Sequence, residues 1–493
     1  MSESDFKKGF QESFEKTEKL FTISEFRREL GIPLVLAKKL ILWGKVEAVQ
    51  TVDGTIRITS SELEEAKDIL KNPWKRGILY LRSLGPGLIT GASDDDPGGI
   101  GTYSSVGAKF GLALLWMAAW LLPIMLAVQE ACARIGIVTN RGLAGVLQKH
   151  YKKKIVATVV VFLVIANIVN IGADIGAMAA SLRLLVDVNY FIAALIFTVL
   201  IIVLEIFIPY RQYSKILKWL TITVFAYVIT GFVIKPDWGI ILKEAVIPEV
   251  RFDKDFVFAM IAIFGTTITP YLFFWQTSEE VEEIAEEKHE GLKPMKLNQR
   301  IARMRTDVKT GMILANLVFF FIIFTTAQVL FKNGITNIES AEQAALALKP
   351  LAGDNAFLLF AAGIIGTGLL AVPILAGSGA YALAEVMNWK EGLNKKFSQA
   401  KAFYVVIAVS ILVGMSLNFI GINPITALYY SAYLNGIISL PLLIVIMVVG
   451  NDQKIMGKET HPRWVKFFGW LAVAGVAVGI LLTILLNWGP FKQ

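Results

Sequence analysis

The chain has 493 residues, 55% of them hydrophobic and only 18% charged, with a formal net charge of +8. Many apolar runs of about 20 residues make it an all-α polytopic membrane protein. A single cysteine, Cys132, excludes an intrachain disulfide and a cysteine-rich metal site. The positive balance does not itself indicate nucleic acid, because Lys and Arg collect in the cytoplasmic loops of membrane proteins.

Residues 1–19 are charged and are expected to be flexible. They show no cleavable signal peptide, so the N-terminal segment is expected to stay cytoplasmic. Residues 20–75 read as a separate small domain. Thr22 precedes an amphipathic helix as its N-cap, and Gly31-Ile32-Pro33 reads as a tight turn. A second helix is expected over Leu34 to Leu42. Residues 48–52 and 56–59 alternate around Asp53-Gly54, a hairpin signal. Ser60 or Ser61 then caps a last helix, Glu62 to Leu70. This order resembles the winged-helix domain of the excisionase and MerR type, which implies DNA binding through the second helix and the wing. Lys38, Lys39, Lys45 and Arg57 would meet phosphates, which carry no sequence information. A docking or regulatory role is expected for this domain rather than DNA as its partner.

The membrane-spanning part is expected over residues 80–490. About eleven membrane spans are expected, near 84–108, 112–135, 156–182, 190–208, 215–235, 256–276, 306–332, 355–386, 402–420, 424–450 and 465–488. Basic residues cluster after spans two, four, six and eight, among them Lys152 to Lys154, Arg211, Arg303 and Lys395. That side is therefore read as cytoplasmic and shared with the N-terminus, which leaves the C-terminus outside a cell membrane.

The first span is interrupted at Asp94-Asp95-Asp96-Pro97-Gly98-Gly99. Three carboxylates there cost about 9 kcal/mol, at roughly 3 kcal/mol each on insertion scales. Pro97 and the glycines break the helix, and bare backbone at that depth must line a cavity or be buried in protein. Clustered acids at a helix break suit a cation. Span six has a second break, Gly265-Thr266-Thr267-Ile268-Thr269-Pro270-Tyr271. The broken spans are five apart, an odd number. Two five-span repeats, about 84–235 and 256–450, are therefore expected in inverted topology, the arrangement of the leucine-transporter-like fold, with an extra helix at 465–488. Carbonyls near Thr266 and Thr267 would face the ion.

Leu84-Gly85-Pro86-Gly87, eight residues, then Asp96-Pro97-Gly98 resembles the first span of the Nramp divalent-metal transporters. Ala133-Arg134-Ile135-Gly136-Ile137-Val138-Thr139 and Thr269-Pro270-Tyr271 fall where that family has further motifs. The resemblance covers about residues 80–450 and implies a metal-ion substrate, a lipid environment and no enzyme chemistry. Gly99 stands where the family's metal-binding asparagine is expected, Thr269 where its methionine is, and Tyr271 where a histidine is. With the soft sulfur gone, the implied ligands are oxygens from Asp96, Asp95 or Asp94, Thr269 and the Thr266 region, with Gly99 leaving room for water. All-oxygen sites suit Mg²⁺, Ca²⁺ and Mn²⁺. The pattern resembles the Nramp-related magnesium transporter branch.

The resemblance places proton-coupling carboxylates on span three, where Asn170 and Ala173 stand here, and His150, His289 and His461 all fall in expected loops. Asp174 is the one acid left in that span. The expectation is Mg²⁺ import, with Mn²⁺ accepted, by alternating access with weak or no proton coupling. A proton-coupled Mn²⁺ or Fe²⁺ symporter, an organic-cation transporter and a membrane-tethered DNA-binding sensor are the rivals. Tyr271, Gln276 and Asn435 join Asn170 and Asp174 as candidate pathway residues. Glu130 and Arg134, four apart, are expected to pair. Glu279, Glu280, Glu282 and Glu283 read as a solvated helix face, Glu205 as reaching water, and Trp275 as an anchor or packing residue. Gly363 to Gly379 reads as close helix packing. The sequence specifies no resident cofactor and no oligomeric interface.

Overall fold

The computed structural model describes residues 19–32, 34, 37, 40, 46, 48–50, 56–71, 86–208, 221–289, 295–393 and 395–488. The chain divides into two compact units, Met1–Gly85 and Pro86–Gln493.

In the first unit, β1 (Leu20–Thr22) leads into α1 (Ile23–Leu30). Thr22 Oγ1 accepts from the Glu25 amide, and Glu25 accepts from the Thr22 amide, so two orphan donors are satisfied at once. Gly31 ends the helix at φ 63°, a torsion that favours glycine. The strands β2 (Ala48–Gln50) and β3 (Ile56–Thr59) follow, then α2 (Ser60–Lys71). The sheet order is β1-β3-β2, antiparallel throughout, with Leu20 opposite Thr59 and Ala48 opposite Ile58. Phe26, Ile58, Leu63 and Ala66 form its core. The expected hairpin thus gains a third strand, β1. The last helix begins earlier than expected, with Thr59 rather than a serine accepting from the Glu62 amide. Arg57 lies opposite Thr22 and its charge falls on Glu25. The expected helix at 34–42, the Asp53-Gly54 turn, and Lys38, Lys39 and Lys45 lie largely outside the described residues.

The second unit is helical. Its first helix is broken into α3 (Pro86–Asp94) and α4 (Pro97–Phe110). Next come α5 (Trp116–Thr139), α6 (Leu143–His150), α7 (Lys153–Leu182) and α8 (Tyr190–Phe207). A 3₁₀ turn at Thr221–Phe225 leads into α9 (Ala226–Val233), followed by α10 (Trp238–Val246). The second broken helix is α11 (Lys254–Thr267) and α12 (Pro270–His289). The long helices α13 (Leu297–Val329), α14 (Ala356–Met387), α15 (Lys401–Ser416), α16 (Pro424–Asn451) and α17 (Arg463–Trp488) complete the unit. Among the described residues, nine helices are long and apolar enough to cross a membrane. The other two expected spans are the broken α3–α4, which carries three acids, and 215–235, described only from Thr221. The expected start of the first span, Leu84 and Gly85, lies outside the described residues.

Close packing positions the breaks. The half-helix α3 lies on α13, α11 lies on α16, and α7 packs on α14 and α16. A Cβ on Gly91 would come within 2.4 Å of the Gly311 carbonyl, so α3 and α13 touch backbone to backbone. Within the glycine-rich run of α14, a Cβ on Gly368 would meet Met178 at 2.4 Å, and one on Gly377 would meet Trp275 at 3.2 Å. Trp275 is fully buried and packs edge-on against Tyr381, so packing is its role.

The charged ends of α5, α12 and α13 form a network. Glu130 receives Arg134 at 2.7 Å, the expected i, i+4 pair, and Arg305 at 2.9 Å. Arg303 pairs with Glu283 and, at 3.1 Å, with Glu287, which also takes Arg300 at 2.5 Å. The solvated face expected at 279–283 is therefore corrected. Glu280 is buried, and Glu282 accepts from Tyr381 at 2.6 Å, because α14 packs on this end of α12 and α13 brings Arg300 and Arg303 to it. Glu205 is also buried, at 2% exposure, and does not reach water.

Candidate functional site

Asp94 ends α3, Asp95 and Asp96 lie in the gap, and Pro97 opens α4. Pro97 has no amide to donate, so α3 cannot run on through it, while its fixed φ suits a first helical position. Asp96 takes the N-cap, and its Oδ1 accepts from the Gly99 amide at 2.6 Å. The positive end of α4 thus falls on this carboxylate. Asp94, Asp95 and Asp96 are 2%, 8% and 4% exposed, so none sits in bulk solvent.

The second break mirrors the first. Helix α11 ends at Thr267, Ile268 and Thr269 are non-helical, and Pro270 opens α12. The end of a helix leaves carbonyls of its last turn, Thr266 among them, without intrahelical donors. A Cβ on Gly265 would lie 2.1 Å from the Ala432 carbonyl, so only glycine lets this break approach α16. Thr267 Oγ1 donates to the Ile263 carbonyl at 2.6 Å and lies 3.0 Å from the Tyr103 hydroxyl.

Tyr271 joins the two breaks. Its hydroxyl donates to the Ser93 carbonyl at 2.8 Å and reaches Asp96 Oδ2 at 3.2 Å. Unmet oxygens lie on both breaks and on α7. Asp94 Oδ1, Asp174 Oδ2 and Thr269 Oγ1 are buried without a hydrogen-bond partner. Buried polar atoms are ordinarily paired, so this arrangement suits a group that supplies charge or coordination from outside the protein. Asp96, Asp94, Thr269 and the end of α11 at Thr266 are therefore gathered at the paired breaks. Asp95 is buried in the same gap. Among the described residues, however, no three His, Cys, Asp or Glu side chains converge to hold a metal. The aspartate trio is thus not a three-carboxylate cage. Gly99 has no side-chain donor, and its amide serves Asp96 instead.

The pathway candidates divide. Asn170 and Asn435 bond each other reciprocally at 2.9 and 3.1 Å, tying α7 to α16. Gln276 accepts from Thr90 at 2.6 Å and donates to Glu280 at 2.9 Å, so it links α3 to the charged end of α12. Asp174 is 1% exposed and lies within electrostatic range of Asp96 and the Gly98 amide. Sequence reasoning missed Ser93, Thr90 and Tyr103, which act through backbone or hydroxyl groups and leave no pattern. It also missed Asp307, which accepts from the Gly87 amide at 2.7 Å and caps α3 from α13. An acid inside an apolar span was the available signal.

A family profile described as natural resistance-associated macrophage protein-like, Nramp, matches residues 87–486. A protein of Klebsiella pneumoniae named "Divalent metal cation transporter MntH" is 25% identical over 431 residues, covering 85% of this chain and 96% of that relative. The solved structure of the Eremococcus coleocola manganese transporter in complex with an aromatic bis-isothiourea substituted compound has a TM-score of 0.68 at 18% identity, over 81% of this chain and 85% of that one. The structure of MhsT in complex with L-phenylalanine has a TM-score of 0.51 at 14% identity, over 80% of this chain and 98% of that one. The two structures share the fold of the helical unit. The profile covers most of the sequence, and the chain belongs to the Nramp family, whose members are transporters and not enzymes.

Proposed function

We propose that this protein is a secondary transporter that moves hard divalent cations, Mg²⁺ and Mn²⁺, across a cell membrane through the gap between the two broken helices. The observation that carries the reading is the set of unmet buried oxygens, Asp94 Oδ1 and Thr269 Oγ1, beside the Asp96 carboxylate held by Tyr271. Every donor in this set is oxygen, a chemistry that suits Mg²⁺ and Mn²⁺ over softer ions. The names of the relatives, which speak of divalent metal and of manganese, support the same class of substrate.

An inverted pair of five-span repeats is supported by how the helices pack. Exchanging each span with its counterpart five places on maps α7–α8 onto α14–α15, α5–α12 onto α13–α4, and α5–α16 onto α13–α9, and all six contacts occur. Alternating access would rock these repeats about the breaks. The basic segments after the even spans favour a cytoplasmic N-terminus and a C-terminus outside. The first unit serves as a docking or regulatory module, a role favoured over DNA binding because the charge of Arg57 falls on Glu25.

Transport without obligatory proton coupling is supported by the bonded Asn170–Asn435 pair and by His150, His289 and His461, none of which lies at a break. The test is uptake of Mg²⁺, Mn²⁺ and Ca²⁺ into proteoliposomes that carry an internal pH dye. Metal entry without acidification is expected. Metal-driven acidification would favour a proton-coupled Mn²⁺ symporter.

A further inference from the structure

We infer that Asp174 of α7 supplies a second carboxylate ligand to the transported cation, facing Asp96 across the gap. The inference rests on the proposed metal-transport reading of this site. Asp174 comes from neither broken helix, and α7 packs against α4, α14 and α16. It is 1% exposed, and its Oδ2 has no hydrogen-bond partner. The charge that acts on it is that of Asp96, and the Gly98 amide at the start of α4 also meets its carboxylate. Among the described residues, no Lys or Arg charge offsets Asp94, Asp95, Asp96 or Asp174. Two facing carboxylates without a counter-cation repel each other, and a buried charge needs a partner.

Thr269 gives an independent sign that a ligand belongs here. It is a neutral residue from the other break, 1% exposed, and its hydroxyl also has no partner. A divalent ion bound between Asp96 and Asp174 brings the pair to net zero charge and gives the Thr269 oxygen a partner. Neither the Asp94 nor the Asp95 position offers this bridging geometry, because both lie on the same short segment as Asp96. The position of Asp174 is fixed one turn earlier on α7, where Asn170 is clamped to Asn435 at 2.9 Å. Asp174 would thereby tell the third span, as well as the broken helices, that the site is loaded.

The test uses the full chain in detergent and in proteoliposomes, with Mg²⁺ and Mn²⁺ as the probes. Metal binding is measured by calorimetry and by the metal-induced rise in Tm, alongside the concentration dependence of uptake. Asp174→Asn is expected to weaken binding of both ions about tenfold or more and to raise KM by a similar factor. Asp174→Glu, which keeps the charge, is expected to recover part of the loss. If Asp174→Asn folds, as judged by Tm without metal, and binds both ions as tightly as the wild type, the inference is overturned. The same holds if binding is unchanged and only proton flux differs, which would make Asp174 a proton carrier. Should Asp174→Asn fail to fold, Asp174→Glu decides: unchanged affinity for both ions overturns the inference, and a severalfold change in their ratio supports it. If the wild-type chain neither binds nor transports either ion, the transport reading itself has failed.

Discussion

Tyr271 shows how a single residue holds two interrupted helices in register. Its hydroxyl serves the Ser93 carbonyl of one break and Asp96, while its own backbone belongs to the other. Tyr271→Phe keeps the ring but leaves those acceptors short of a donor, a loss of about 1–3 kcal/mol for a buried group. A lower Tm and a severalfold higher KM for the metal are expected, and an unchanged KM would show that Asp96 needs no such support. His461 makes a second prediction. It is 2% exposed, and burial with the nearby Arg134 lowers its pKa to about 4. A folded pKa below the ordinary value of about 6.5 means that the unfolded chain takes up the proton first. Stability contributed by the neutral imidazole is therefore whole above about pH 6.5 and is lost as pH falls toward 4, by on the order of 3 kcal/mol. His461→Gln is expected to flatten the Tm-against-pH curve over that window. At this scale the sequence made Asp96 legible, because an acid before Pro-Gly inside an apolar run has few structural uses. It could not reveal that Gly99 acts through its amide or that Asn170 and Asn435 satisfy each other, since both facts depend on which helices meet.

The helices are positioned by close contacts and ion pairs that sequence periodicity only partly records. Gly265 is the clearest case, with the Ala432 carbonyl 2.1 Å from where its Cβ would stand. Gly265→Leu must push α11 away from α16, at about 1–3 kcal/mol or more, and thermal unfolding in detergent is expected to show it. Glu130→Gln removes the carboxylate that holds Arg134 and Arg305. Leaving the buried Arg134 with an exposed partner alone, Glu459 at 3.6 Å, is expected to cost about 3–5 kcal/mol, as for breaking a buried pair. Glu130→Asp should recover part of that. Both helix breaks were readable because proline and glycine act locally, whatever the fold around them. Strand β1 was not, because three residues show no alternation and pair only through β3. The carboxylates of α12 were misread for a related reason: a run of glutamates looks solvated until another helix covers it, and here α13 brings the arginines.

Across the whole molecule, the apolar surface, the two interrupted helices and the buried oxygen cluster fit one task, holding a small divalent cation inside a membrane. Family membership agrees with what the Asp-Pro-Gly segment suggested, and both interrupted helices are present where proline and glycine marked them. The proposed choice of Mg²⁺ and Mn²⁺ rests on donor chemistry, since Thr269 and Gly99 offer oxygens and space where a softer site would place sulfur. The most direct measurement is uptake of Mg²⁺, Mn²⁺ and Ca²⁺ into proteoliposomes by the wild type and by Asp96→Ala. The account predicts saturable uptake of Mg²⁺ and Mn²⁺ by the wild type and loss of flux for every ion in the variant. A folded Asp96→Ala protein that still carried these ions at the wild-type rate would contradict it.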